Sequence, residues 1–375
     1  MKLKSSVCFD DVLLTPRYSS IKSRKEVDVS SPMANISYVP TIPIVASPMD
    51  TITEYEMAMQ MIRLGGIGVI HRYNTIEEQR KVVSDVCESL INENSTSTSA
   101  IAAAIGVSGD YLERAQSLYN AGARILCVDI AHGHHILMKS ALQNLRATFG
   151  KRVHLMAGNV ATLQAFNDLA DWGADSIRVG IGGGSICSTR IQTGHGMPTL
   201  QSVMDCARSD RDAIMIADGG IKTSGDIVKA LAAGADMVML GSLLSGTHET
   251  PGDILSNSTG GYSYTTTTSQ DGLVTYALDE EVTAGANLYK SYRGMASKEA
   301  QVEWRGYQSS EEGVATTVPY KGPVKPIIDS LVKGIKSGLS YSGVTTIREL
   351  QAVAEFTLQS YSGVSESSTH IFNAS

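Results

Sequence analysis

Aromatic residues make up only 6% of this 375-residue chain, with 5 phenylalanines and 2 tryptophans, while glycines number 35. That balance is the one expected of many short strand-to-helix connections. Basic residues are outnumbered, 31 Lys and Arg against 38 Asp and Glu, for a net charge of −7. A broad nucleic-acid footprint needs a basic face, so nucleic acid is not an expected partner. A local anion site stays open, because backbone amides bind phosphate without net positive charge. The 5 cysteines (Cys8, Cys87, Cys127, Cys187, Cys206) are scattered and contain no CxxC, which suggests neither zinc site nor disulfide framework. No apolar run reaches the ~18 residues of a membrane helix, and MKLKSSVCFDDV lacks the apolar core of a signal peptide. The expected setting is a reducing cytosol, with no membrane partner. Hydrophobic residues, at 42%, are ample for a sizeable core.

What is present is alternation. Residues 1–40 read as an irregular lead-in. PIVASPMD (Pro43–Asp50) reads as a buried strand running into a loop. A helix follows, with Thr53 as N-cap and Gly65-Gly66 as its stop. Ile67–His71 is a second strand, and the helix after it opens with Thr75 and Glu78 at capping-box spacing. NENSTSTS (Asn92–Ser99) reads as a surface loop inside one domain. Further strands are expected over 100–108, 125–131, 154–159, 176–181, 213–219 and 237–242. Helices are expected over Tyr111–Asn120, His135–Phe149, Leu163–Trp172, Thr199–Ala207 and Ser224–Ala233. NAGARILCVD, DWGADSIRVG and AAGADMVMLG echo one another, each with a helix-stopping glycine before an apolar strand. Eight strand–helix units favour a closed (β/α)8 TIM barrel over an open doubly wound sheet. The eighth helix, 323–343, comes late, after an irregular insertion over roughly 247–322 that reads as a flap or lid and contains a Gly/Ser/Thr-rich piece with hairpin character, GGYSYTTTTSQDG. The bland alternative for that insertion is a disordered decoration.

In such a barrel the active site lies at the C-terminal ends of the strands. DSIRVGIGGGSICSTRIQT (Asp175–Thr193) places a Gly-rich turn and Cys187 there, with Ser185, Ser188 and Thr189 around it. Cys187 is either a nucleophile or a half-buried thiol. Asp218-Gly219-Gly220 and Gly241-Ser242, after the last two strands, look like a phosphate cradle, with a tight turn as the alternative. Asp218 suits a ribose diol or caps the next helix. His71, His132, His134 and His135 show no spacing that joins to a third metal ligand, so a transition-metal site is not expected.

FDDVLLTP, SPMDT, GGIGVIHR, GIGGGSICSTR, ADGGI, MLGS, YRGMAS and EEGVATTVPYKGPV together resemble the inosine-monophosphate dehydrogenase and guanosine-monophosphate reductase superfamily. The resemblance runs from about residue 8 to 345. It implies a purine-nucleotide barrel in which Cys187 attacks C2 of the base. It implies a potassium site on the carbonyls of Gly182, Gly184 and Cys187. Ser185, Asp218, Gly219, Gly220, Gly241, Ser242 and Tyr292 would hold ribose and phosphate. Gly294, Met295, Ala296 and Gly313 would border the base. Asp129, Ala131, His132 and Asn159 would face a nicotinamide cofactor. The tandem regulatory module that many dehydrogenases insert after the second helix is absent, leaving one barrel domain over 1–375. Gly183 stands where the family usually has proline.

Only sixteen residues separate Met295 from Glu312, and Arg305 and Tyr307 are split by Gly306. Dehydrogenases use a longer flap and an adjacent Arg-Tyr pair to activate water, so the spacing resembles the reductase branch, as does the closing HIFNAS. The resemblance then implies NADPH-dependent conversion of GMP to IMP, with Thr189 and Glu312 as a proton relay, in a cytoplasmic homotetramer. Ser309 stands where reductases often carry arginine. IMP dehydrogenase with an unusual flap, or a purine-nucleotide binder without turnover, are the competing expectations.

Overall fold

The computed structural model of the chain describes residues 3–256, 288–308 and 312–367, together with the backbone of 264–268 and 274–278. Ser309, HIFNAS and the connecting residues of the Gly/Ser/Thr-rich piece lie outside the described residues.

The lead-in is more ordered than its sequence suggests. β1 (Val12–Leu14) pairs antiparallel with a late strand, Phe356–Leu358, and ties the two ends of the chain together. Three residues of apolar sequence carry too little periodicity to be read as a strand without their distant partner. Met33, Ile36 and Tyr38 then pack against the barrel's interior residues.

Eight strands close into a parallel barrel in chain order: β2 (Ile44–Ala46), β3 (Ile67–Ile70), β4 (Ala102–Ile105), β5 (Ile125–Asp129), β6 (His154–Val160), β7 (Ser176–Val179), β8 (Ile214–Asp218) and β9 (Met237–Leu240). Closure runs through β9, whose Val238, Met239 and Leu240 pair with Ile44, Val45 and Ala46. The expected (β/α)8 barrel is therefore the fold. Alternate residues split between two cores, as strand geometry requires. Val45, Ile67, Val69, Ala102, Ala104, Ile125, Cys127 and Met156 fill the barrel's interior. Ile44, Ala46, Ala103, Ile105, Leu126 and Val128 face the surrounding helices instead.

The helices are α1 (Tyr55–Arg63), α2 (Ile76–Asn92), α3 (Tyr111–Ala121), α4 (Ile136–Phe149), α5 (Leu163–Asp171), α6 (Thr189–Thr193), α7 (Thr199–Cys206) and α8 (Ser224–Ala232). Thr75 and Glu78 form the expected capping box of α2. Thr53 does not cap α1; the N-cap position is Glu54. Thr53 is buried, and its hydroxyl donates to the Ser47 carbonyl at 2.8 Å. The echoed glycines Gly122, Gly173 and Gly234 take φ of +119°, +109° and +118°, a left-handed stop open to glycine. The echoed acids lock each unit to its neighbour: Asp175 accepts from the Leu155 amide and Asp236 from the Met215 amide, both at 2.8 Å.

The described part of the insertion is not irregular. β10 (Leu255–Ser256), β13 (Leu288–Arg293) and β14 (Ala315–Pro319) form a three-stranded antiparallel sheet, and β11 (Tyr264–Thr268) pairs with β12 (Val274–Leu278) as a hairpin. A flap helix, Lys298–Arg305, is capped by Ser297. β13 buries alternate residues, Lys290 and Tyr292, and a polar strand whose inward positions are Lys and Tyr gives no hydrophobic alternation to read. The late closing helix, Val324–Tyr341, packs on α8.

Candidate active site

β7 ends at Val179, and the glycine turn delivers Cys187 just before α6. That short helix was not expected from the sequence. The Cys187 amide donates to the Gly184 carbonyl at 3.2 Å. Its thiol donates to Thr189 Oγ1 at 3.2 Å, and the Thr189 hydroxyl donates to Glu312 Oε2 at 2.8 Å. Glu312 comes from the flap, 123 residues downstream. Main-chain links hold it there. The Ser188 amide donates to the Glu312 carbonyl at 3.1 Å, and the Val314 amide to the Ile186 carbonyl at 3.0 Å. Cys187 and Gly313 form an antiparallel bridge between those two bonds. An exposed glutamate on a free loop has no such constraint. Here the carboxylate is delivered to a hydroxyl, which is delivered to a thiol, a geometry suited to moving one proton.

This triad opens into a cavity of about 330 Å³. At one end lie Gly219, Gly220, Gly241 and Ser242. Gly219 and Gly220 have φ of +89° and +80°, which turns their backbone toward the cavity without a Cβ in the way. Ser185 Oγ and Tyr292 Oη stand 3.3 Å apart beside them. Burial pushes the Tyr292 phenol above its ordinary pKa, and hydrogen bonds to Ser185 and Ser242 only partly offset this. The hydroxyl therefore stays protonated at neutral pH. Gly183 packs against Thr199: a Cβ on it would fall 2.4 Å from Thr199 Oγ1. That contact accounts for glycine at a position where the resemblance leads one to expect proline.

The opposite end is made of side chains. Arg178, on β7, donates from Nη1 to Asp129 Oδ1 at 2.6 Å and from Nε and Nη2 to Asp218 Oδ2 at 3.2 and 3.0 Å. Asn159 Nδ2 donates to the same Asp218 oxygen at 2.8 Å. Burial works against the Arg178 charge, but Cys127, Asp129 and Asp218 outweigh it and hold its pKa well above the usual range. Asp218 does not cap the next helix: Thr223 and Asp226 form the capping box of α8. Its carboxylate is instead fixed at the cavity wall. Asp129, Ala131 and Asn159 line this end, as do Arg72 and Tyr73. His132 is exposed and does not line the cavity.

The base-side segment also joins. Gly294, Met295 and Ala296 line the cavity, and Met295 Sδ accepts from the Asp50 amide at 3.3 Å. Arg293 Nε and Nη2 donate to Asp50 Oδ2 at 2.9 and 2.7 Å, pinning the flap strand β13 to the loop after β2. Gly313 does not line the cavity; a Cβ there would meet the Ser297 amide at 2.7 Å. Sequence reasoning missed Arg178, Arg72, Tyr73 and the Asp50–Arg293 pair. Arg178 had a visible signal, a charge inside an otherwise apolar parallel strand. Arg72 and Tyr73 had none beyond following a strand.

The histidines have local duties. His71 pairs with Glu54 at 2.7 Å, His134 with Asp168 at 2.8 Å, and His135 caps α4 by accepting from the Leu137 amide. Among the described residues no three His, Cys, Asp or Glu gather as a metal site. The turn of Gly182, Gly184 and Cys187 offers main-chain oxygens, a donor set that fits a hard alkali cation rather than a transition metal.

Residues 6–370 match the family model described as the IMP dehydrogenase / GMP reductase domain. The chain belongs to this family. It is 34% identical to an inosine-5'-monophosphate dehydrogenase of Nitrosopumilus maritimus, with 99% of each chain covered. It is 33% identical to a GMP reductase of Leishmania major, covering 98% of this chain and 97% of that one. Among solved structures it is similar to GMP reductase from Trypanosoma brucei, a cysteine-to-alanine variant in complex with guanosine 5'-monophosphate. There the TM-score is 0.84 at 29% identity, with 99% of each chain covered. The family's two branches thus stand at nearly equal identity, and the relatives alone do not select a reaction direction.

Proposed function

We propose that this chain is a GMP reductase: it deaminates GMP reductively to IMP and ammonia with NADPH, through a Cys187 adduct at purine C2. The observation that carries the reading is the Cys187–Thr189–Glu312 chain closed by a short flap. Its complement is the position of Arg305 and Tyr307. The Arg305 guanidinium lies 6.0 Å from the Tyr73 ring centroid, Tyr307 is 61% exposed, and neither lines the cavity. A dehydrogenase needs an Arg-Tyr pair at the adduct to activate water, and that role has no occupant there among the described residues. A reductase has no hydrolytic step.

In this reading the cradle of Gly219, Gly220, Gly241 and Ser242 holds the phosphate, with Ser185 and Tyr292 as hydroxyl donors. Asp218, fixed by Arg178 and Asn159, takes the ribose diol. Gly294, Met295 and Ala296 border the base. As the Cys187 sulfur bonds to C2, its proton passes through Thr189 to Glu312. The same path returns a proton to the C2 amino group, and the C2–N bond breaks to release ammonia, leaving a thioimidate on Cys187. Asp129, Ala131 and Asn159 would hold NADPH, which would supply a hydride to C2. The C–S electron pair returns to sulfur, giving IMP. The sum is GMP, NADPH and one proton going to IMP, NADP⁺ and ammonia. The main-chain oxygens of Gly182, Gly184 and Cys187 would hold potassium and stiffen the loop that aims the thiol. The resemblance extends the proposal to a homotetramer in the cytoplasm.

The 34% identity to an IMP dehydrogenase favours a second reading, oxidation of IMP by NAD with hydrolysis of the adduct. Absorbance of the reduced nicotinamide separates the two. Consumption of NADPH with GMP is the expected result. Production of NADH from IMP and NAD, without the first activity, overturns the proposal in favour of the dehydrogenase. Silence in both mixtures overturns it in favour of a nucleotide binder.

A further inference from the structure

In the proposed function the glycine end of the cavity holds a phosphate dianion, yet no Lys or Arg side chain stands in its wall. The cations that line the cavity, Arg72 and Arg178, are bonded to Asp129, and Arg178 to Asp218 as well. Main-chain amides bind an anion without net charge, but a positive charge close behind them deepens the local potential. Such a charge stands one layer behind the wall.

The loop after β9 begins with Gly241 and Ser242, both of which line the cavity. Lys321, two residues past β14, reaches this loop from outside. Its Nζ donates to the Ser242 carbonyl at 3.1 Å and to the Leu243 carbonyl at 3.4 Å. Its own amide donates to the Gly246 carbonyl at 2.8 Å, so side chain and main chain are seated on the same loop. The Leu243 amide makes no hydrogen bond among the described residues. In a planar trans peptide the C=O and N–H point in opposite directions. The Ser242–Leu243 peptide therefore turns its oxygen to the ammonium and its N–H to the other side of the loop. Desolvation lowers the Lys321 pKa, and among the described residues no carboxylate offsets this. At the far end of the loop the buried Lys290 ammonium donates in the same way to the His248 and Thr250 carbonyls.

We propose that Lys321 is the counter-charge of the mononucleotide phosphate, held behind the main chain and acting through the Ser242–Leu243 peptide. It is a positioning residue: its ammonium touches the loop, not the nucleotide. The inference rests on the reading that the glycine end takes the nucleotide phosphate, whichever purine the base side holds. An ammonium on a carbonyl polarises the peptide and makes its N–H a stronger donor. It also fixes the turn that carries Gly241 and Ser242. The loop is thereby charged on its outer side at both ends, while its inner side stays main chain.

The test compares GMP and IMP with guanosine and inosine, which lack the phosphate, by calorimetry on the full chain at low and high NaCl, beside steady-state kinetics. Lys321 is exposed, so truncating it opens no cavity. Lys321→Met should weaken both nucleotides by about fivefold, the upper range for an exposed charge, and leave both nucleosides unchanged. KM for GMP should rise while kcat and KM for NADPH hold. The loss should shrink in high salt, where screening removes the advantage of the wild type. Lys321→Gln keeps a donor for the two carbonyls without the charge and should lose as much as Lys321→Met, whereas Lys321→Arg should recover most of the affinity. A Gln variant that binds GMP like the wild type reduces Lys321 to a structural clamp and overturns the counter-charge. Unchanged GMP affinity in Lys321→Met overturns it too, as does a loss shared by guanosine. Failure of the proposed function reads differently. A wild-type chain that binds both nucleotides through Lys321 but oxidises no NADPH with GMP sinks the reductase and leaves the counter-charge standing.

Discussion

The two ends of the cavity are made of different materials. The end with Gly219, Gly220 and Gly241 is main chain, shaped by residues that lack a Cβ. The end with Asp129, Arg178, Asp218, Arg72 and Tyr73 is side chain, shaped by charge pairing. A main-chain site has almost nothing to truncate, and it fails when atoms are added. A side-chain site tolerates added atoms poorly too, but it fails first when a charge is removed. Between them stands Cys187, attached to both by the glycine turn and the flap.

The largest effect should come from that middle. Cys187→Ala should abolish turnover while GMP and NADPH bind within a few-fold of wild type, measured by calorimetry; retained turnover ends the nucleophile assignment. Glu312→Gln removes the proton acceptor while keeping the Thr189 hydrogen bond. It should slow ammonia release by roughly 10²- to 10³-fold, the usual contribution of a positioned acid–base group. Single-turnover kinetics should show hydride transfer changing less, and equal slowing of both steps removes Glu312 from the deamination relay.

The glycine end is tested by addition. A Cβ on Gly219 would fall 3.0 Å from the Gly184 amide, on a backbone with φ of +89°. Left-handed strain of this kind costs about 1–2 kcal/mol, so Gly219→Ala should raise KM for GMP by about tenfold and leave KM for NADPH alone. A rise shared equally by both substrates would show that the two ends are not independent.

The smallest effect concerns the flap's base. Lys290 is 2% exposed, and its ammonium donates to the carbonyls of His248 and Thr250, with Glu249 and Asp253 nearby. Burial lowers its pKa to about 8, against about 10.4 in an unfolded chain. Between those values the folded state binds fewer protons than the unfolded one, so stability should rise with pH across that window. The gain is complete above the unfolded pKa and lost as pH falls toward 8. Urea midpoints from pH 7.5 to 10 should show this limb in the wild type and lack it in Lys290→Met. Parallel curves would mean that Lys290 is not held in the buried site.

Much of the architecture was legible because it depends on local rules. Glycine stops, the Thr75–Glu78 cap and eight apolar runs separated by amphipathic helices each announce themselves within a dozen residues. The glycine loops could be placed on one face because a parallel barrel puts every strand's C-terminal end on the same side. β1 could not be read, since its partner lies more than 300 residues away. Neither could the insertion's sheet, whose inward positions are Lys290 and Tyr292. Thr53 misled because a hydroxyl before a helix reads as a cap, whereas tertiary packing had already engaged it with Ser47.

For the site, the sequence by itself determined the inventory: a cysteine on a glycine turn, two glycine loops after the last two barrel strands, and a glutamate at the end of a short flap. Those residues follow from composition and spacing along the chain. Only the tertiary structure decided which of them meet. Glu312 reaches Thr189 because the segment Glu312–Val314, leading into β14, hydrogen-bonds through its main chain to the Cys187 loop. Arg178 joins Asp129 to Asp218 because barrel closure brings β5, β7 and β8 around one interior. Pairing across more than a hundred residues is fixed by barrel closure and flap docking, and no local pattern in the chain records it.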